Sequence, residues 1–151
     1  MMKEVYSLLV VLSTVGLLAS GVLPSAWLNG RAAAVRATVN RIATLHIIAA
    51  ADALGLTVAT GPQTLFSGAI LLDGTSALML TLVAFVGWVI CRFSIRYLDG
   101  DSRQGRYFGW IGFTIGAVSV MVISGNLFMF VAAWVMTSLG LHQLLLHYPQ
   151  R

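Results

Sequence analysis

The chain has 151 residues, of which 58% are hydrophobic and 9% charged, with a net charge of +4. Soluble domains carry about 25% charged residues, so this sequence cannot cover the surface of a water-soluble globule of its size. The basic excess does not point to nucleic acid either, because the lysines and arginines sit between apolar runs with no recognition motif among them.

A spanning helix needs about 20 predominantly apolar residues, and five segments qualify. In chain order they are residues 5–23, ending at Pro24, then 42–60, ending at Gly61 and Pro62, then 75–93, 107–123 and 126–147. Runs of this length without two-residue alternation are helices, since a lipid-exposed backbone must satisfy itself internally. The loops are short and no repeat is evident, so residues 1–151 read as a single transmembrane helical domain, all-α, a bundle of about five helices. The first segment follows Lys3 as a signal peptide would. Its flanks argue for a retained helix instead, because Arg31, Arg36 and Arg41 follow it while Lys3 sits beside Glu4.

Basic residues set the orientation. The loop after the first helix holds Arg31, Arg36 and Arg41. The loop after the third holds Arg92, Arg96, Arg103 and Arg106, and the tail holds Arg151, while the loops after the second and fourth hold none. The amino terminus is therefore expected outside and the carboxyl terminus in the cytoplasm. Four or six helices would break this alternation.

Polar residues inside apolar segments are the candidate sites. Asp52 lies near the middle of the second helix, where a carboxylate costs about 2.5–3.5 kcal/mol on insertion scales. It reads either as a proton carrier or as an acid hydrogen-bonded to a neighbouring helix. His46 lies six residues earlier, closer to the cytoplasmic end and on another side of the same helix. It reads as a structural hydrogen-bonder or as a site. On the fifth helix Trp134, Ser138 and His142 follow at four-residue steps and share a face. Such a stripe is expected to face the bundle interior, as a proton site or as interhelical glue. His147 and Tyr148 read as interfacial anchors. Gly109, Gly112, Gly116 and Ser119 line one side of the fourth helix, a spacing that lets helices approach closely. Arg92 and Arg96 would snorkel to phosphates or bind a peripheral protein. Arg103 and Arg106, with Asp99 and Asp101 nearby, extend that charged patch as partner-docking candidates. Cys91 is the one cysteine, with no disulfide partner and no zinc spacing. No nucleotide loop, HExxH or nucleophile elbow is present, so the chain is expected to be non-catalytic.

From Leu71 to Tyr148 the sequence resembles the antiporter-like, proton-pumping subunits of respiratory complex I and their Mrp-type relatives. "LLDGTSALMLTLVAFVGWVI", with Leu72, Asp73 and Gly74, is similar to that superfamily's LDGLS-type helix entry. "RYFGWIGFTIGAVSVMVISGNLFMFVAAW" is similar to its RFF…DNLL…GWE run at Arg106, Tyr107, Phe108, Asn126, Leu127 and Trp134. In the pumping subunits a buried glutamate follows the tryptophan, and here Val135 stands in its place. The run through Thr137, Ser138, Leu139, Leu141 and His142 instead resembles the DabB family, membrane subunits of inorganic-carbon transporters.

That resemblance implies a two-protein machine. The membrane subunit supplies a proton or sodium path, with Asp52, His142, Ser138 and His46 as candidates. A cytoplasmic zinc-bearing DabA-like partner hydrates carbon dioxide, so zinc is expected in the partner and no cofactor in this chain. Members of that family are longer, and further membrane helices are expected to complete the conduit. The inner membrane is the expected location. A complex I or Mrp-type pump subunit and a non-conducting scaffold remain the competing readings.

Overall fold

The computed structural model describes residues 2–147, with side chains from Leu8 onward. The side chain of Lys3, and Tyr148 and Arg151 altogether, lie outside the described residues.

Helix α1 spans Met2–Val22 and stops ahead of Pro24. The Pro24 carbonyl accepts the N–H groups of Trp27 and Leu28 at 3.0 Å, which opens the short helix α2, Ser25–Gly30. Helix α3 runs over Ala32–Thr60 and so starts well before the expected residue 42. Its extra turns begin with three alanines, the strongest helix formers, and they meet no glycine or proline. At 29 residues α3 is about 44 Å long, against a hydrocarbon core of about 30 Å. A search for apolar runs finds only the part that lipid requires. Gly61, at φ +82°, ends the helix with its N–H on the Thr57 carbonyl at 2.9 Å, and Pro62 blocks continuation.

The following loop carries two short strands. Strands β1, Gln63–Leu65, and β2, Ile70–Leu72, form an antiparallel hairpin with Gln63 opposite Leu72. An isolated bridge from Ile70 to Ser124, together with Gly125 N–H on the Ala69 carbonyl at 2.7 Å, ties the hairpin to the turn between the last two helices. Ile70 and Leu72 are buried there, closing one end of the core.

Helix α4, Gly74–Tyr97, starts at Asp73, whose carboxylate accepts the Ser76 N–H at 2.7 Å. That backbone bond holds the Asp73 carboxyl below the usual carboxylate range. Helix α5 is Gln104–Ile123. Helix α6, Leu127–Leu145, starts at Asn126, whose side chain accepts the Met129 N–H at 2.8 Å. Two residues that carry the family resemblance, Asp73 and Asn126, are therefore N-caps.

Among the described residues four helices, α3 to α6, are long and apolar enough to cross a membrane, and α1 adds the apolar stretch Leu8–Val22. This is an all-α, multi-pass membrane protein. α5 is central, with 56% of its span buried against 11% for α6. α1 and α3 pack on α5 from one side and α6 from another, while α4 packs against α3 and α5. Gly109 lies against the Ser20 carbonyl, Gly112 against the Ser20 hydroxyl, and Gly116 against the backbone of Thr14 and Leu18. The glycine stripe expected on this helix is thus the seat of α1.

The basic segments meet at one end of the bundle. Arg36 reaches Asp99 at 3.5 Å, the Arg106 N–H reaches Asn29 at 2.9 Å, and His147 reaches Asp101 at 3.3 Å. The hairpin caps the other end. Reporter fusions at Gly30 and Gly100 should both report cytoplasm, and a fusion at Gly68 the exterior. A cytoplasmic signal at Gly68 would overturn the orientation.

Candidate functional site

Two apolar clusters fill the bundle, and a polar layer separates them. Leu17, Ala43 and Ile115 belong to one cluster, and Val10, Ala49 and Ile123 to the other. Between these residues, on the same three helices, lie Ser13 of α1, His46 of α3 and Ser119 of α5. His46 and Ser119 are fully buried and Ser13 is 9% exposed. The imidazole bridges the two hydroxyls, with Nδ1 at 2.9 Å from Ser13 Oγ and Nε2 at 2.9 Å from Ser119 Oγ.

Each serine also faces a carbonyl of its own helix, Ser13 that of Val10 at 3.0 Å and Ser119 that of Ile115 at 2.8 Å. A neutral imidazole has one donor and one acceptor nitrogen. Two hydroxyl hydrogens and one ring hydrogen must therefore serve four contacts. In either tautomer one serine turns from its carbonyl to donate to the ring, and exchanging tautomers exchanges which serine does so. The chain Ser13–His46–Ser119 can thus carry its hydrogens in either direction across three helices. Only an imidazolium would fill all four contacts.

Asp52 lies about 9 Å further along α3 and on another side, as its spacing from His46 requires. It is exposed on the outer face. With Leu9, Leu12, Ser13 and Ile48 it lines a cleft of about 250 Å³ between α1 and α3. Among the described residues nothing hydrogen-bonds to its carboxyl.

The α6 stripe departs from expectation. Trp134, Ser138 and His142 are exposed on the outer side of the bundle and do not face its interior. Ser138 donates to the Trp134 carbonyl of its own helix at 3.1 Å. Ala133 and Gly140 are the buried residues of α6, and Gly140 sits directly on the Thr114 hydroxyl of α5. Close approach through small residues fixed the rotation of the helix, which turned the polar stripe outward.

The arginine patch divides. The Arg92 guanidinium lies over the Trp88 ring, 5.4 Å from its centroid, and Arg96 and Arg103 are exposed. Arg106 is half-buried and clamps the bundle, its Nη2 donating to Gln143 Oε1 at 2.8 Å. Its backbone N–H on Asn29 adds α2 to that clamp, so Arg106 is not a free docking residue. His147 is also more enclosed than a headgroup anchor. It is buried beside Asp101 and against Tyr107, with 4.9 Å between the ring centroids. Among the described residues no group of three His, Cys, Asp or Glu could hold a metal ion.

Comparison with known proteins places these features. Residues 63–108 match the family described as NADH-Ubiquinone oxidoreductase (complex I), chain 5 N-terminus. The chain is 44% identical over 79 residues to the "Probable inorganic carbon transporter subunit DabB2" of Halothiobacillus neapolitanus, which covers 52% of this chain and 14% of that protein. It is 43% identical over 70 residues to the DabB protein of Bacillus subtilis, covering 46% of this chain and 14% of the relative. It is 31% identical over 65 residues to NADH-quinone oxidoreductase subunit L of Escherichia coli, covering 43% of this chain and 11% of the relative. The likeness is to the amino-terminal portion of DabB-type subunits within the complex I antiporter-like superfamily, and it spans about a seventh of the DabB relatives' own length.

Proposed function

We propose that this chain is a non-catalytic membrane subunit of an energy-coupled inorganic-carbon uptake complex. In this reading it contributes to a proton or sodium path and docks a cytoplasmic zinc-bearing, carbonic-anhydrase-like partner of the DabA kind. The observation that carries the ion path is the Ser13–His46–Ser119 layer, a reversible hydrogen-bond chain buried between two apolar clusters. The likeness to DabB2 supports the carbon half of the reading. Hydration of carbon dioxide belongs to the partner, which holds the zinc. Asp52, Ser138 and His142 lie on outer faces, so any part they take in the path is shared with neighbouring helices. Arg92, Arg96 and Arg103 offer the partner a basic surface.

The likeness to subunit L favours a second reading, a proton pump or cation/proton antiporter. Val135, standing where the pumping subunits have a glutamate, counts against it.

Accumulation of labelled inorganic carbon separates the two. Cells that depend on this complex should lose accumulation when the chain is deleted, and also when either a protonophore or a sodium ionophore collapses the coupling gradient. Accumulation indifferent to both agents would overturn the reading. Cation/proton exchange in vesicles without any dependence on carbon would establish the antiporter instead.

A further inference from the structure

The outer face of α3 is built for protein contact. Between Leu45 and Ala59 it exposes Leu45, Ile48, Ala51, Asp52, Gly55 and Val58. Leu45, Ile48 and Val58 suit lipid, and Asp52 does not. Hydrocarbon offers neither a hydrogen-bond donor nor a positive charge, and Asp52 is close enough to the middle of the apolar stretch that its short side chain cannot reach water by snorkelling. Ionisable groups at such depth are paired or face a polar cavity, yet the described residues give Asp52 no partner.

A second observation points to the same face. Ala51, Gly55 and Ala59 follow at four-residue steps, all exposed, and a Cβ added at Gly55 would meet nothing within 4 Å. This spacing lets another helix backbone come close. It is unoccupied here, unlike the glycines of α5, which press on α1. Beside it, between α1 and α3, lies the cleft of about 250 Å³ that Asp52 itself lines with Leu9, Leu12 and Ile48.

We propose that this face of α3 docks a transmembrane helix of a partner membrane subunit, and that this helix carries a lysine or arginine at the depth of Asp52. The small residues admit the backbone and the carboxylate fixes register and rotation. A basic partner neutralises Asp52 as a pair, a match that an apolar helix or lipid cannot make. The inference does not require that ions pass through this chain.

The test is cross-linking in native membranes containing the assembled complex. A photo-reactive amino acid at Ile48 should link to an apolar helix of another subunit that has a lysine or arginine within one turn of the linked residue. Asp52→Lys should lower recovery of that subunit at least tenfold, and changing the partner's basic residue to glutamate should restore it. Gly55→Leu should reduce the cross-link without lowering the melting temperature of the purified chain, which separates lost docking from misfolding. Adducts to lipid alone, to a second copy of this chain, or to a helix without a basic residue would overturn the proposal. So would unchanged recovery with Asp52→Lys. The readout is assembly, so failure of the transport reading leaves a positive cross-link standing, and a failed cross-link leaves the transport result untouched.

Discussion

His46→Gln and His46→Asn should each give a folded, membrane-inserted protein that no longer supports inorganic-carbon accumulation. Glutamine places its amide near the position of Nε2 and keeps the contact to Ser119, while asparagine places its amide near Nδ1 and keeps Ser13. Each variant loses one interhelical hydrogen bond, worth about 0.6 kcal/mol on average and at most about 1.7. That is small beside a total stability of about 5–15 kcal/mol. The serine left without a ring partner still donates to its own helix, Ser13 to Val10 or Ser119 to Ile115, so neither variant strands a buried hydroxyl. Transport should suffer far more. An amide cannot release a hydrogen at one end and accept one at the other, so the chain of contacts can no longer reverse. Positioned proton transfer contributes about 100-fold or more, and accumulation per molecule of inserted protein should fall by at least that. Normal accumulation in either variant would make His46 a structural bridge between helices.

The layer around His46 was only partly legible in the sequence. A histidine in an apolar run announces itself, but its partners come from helices 33 and 73 residues away in sequence. Nothing local marks Ser13 as its neighbour. Ser119 was visible as the last small residue of the α5 stripe, and that stripe predicted close packing, which the contacts of Gly109, Gly112 and Gly116 with α1 bear out. The rotation of α6 was misread for a physical reason. The sequence of α6 holds both a polar stripe through Trp134, Ser138 and His142 and a smaller-residue stripe through Ala133 and Gly140. In membranes the closer approach of small residues outweighs a serine that can satisfy itself on its own helix. The four long helices α3 to α6 followed from hydropathy, because lipid demands continuous apolar runs, whereas the short helix α2 left no such mark. The early start of α3 and the hairpin between α3 and α4 did not, because both are governed by backbone hydrogen bonding outside the apolar span. The motif residues Asp73 and Asn126 carried the resemblance without revealing their task, which is to cap α4 and α6.

Gly116→Val should destabilise the purified protein by about 1–3 kcal/mol, the usual cost of forcing extra groups into a packed core, and should remove transport with it. The Cβ would lie 2.9 Å from the Leu18 backbone nitrogen and 3.1 Å from the Thr14 carbonyl oxygen. Both are backbone atoms, so no side chain can swing aside and α1 itself must move. Ser13 adjoins Thr14, and its 2.9 Å contact with His46 ceases to be a hydrogen bond once it stretches past about 3.5 Å. A displacement of well under one ångström at Ser13 therefore breaks the layer. The glycine and histidine variants should thus separate: His46→Gln loses transport with its melting temperature nearly kept, whereas Gly116→Val loses both. Gly55→Ala supplies the control. It changes a glycine within a helix at which nothing lies within 4 Å, and should raise stability by roughly 0.5–1 kcal/mol through the lower conformational freedom of alanine. Thermal melting in detergent, read beside accumulation in cells, checks all three. If Gly116→Val melts with the parent protein, α1 does not seat on the α5 glycines, and the route from packing to the His46 layer fails at its first step.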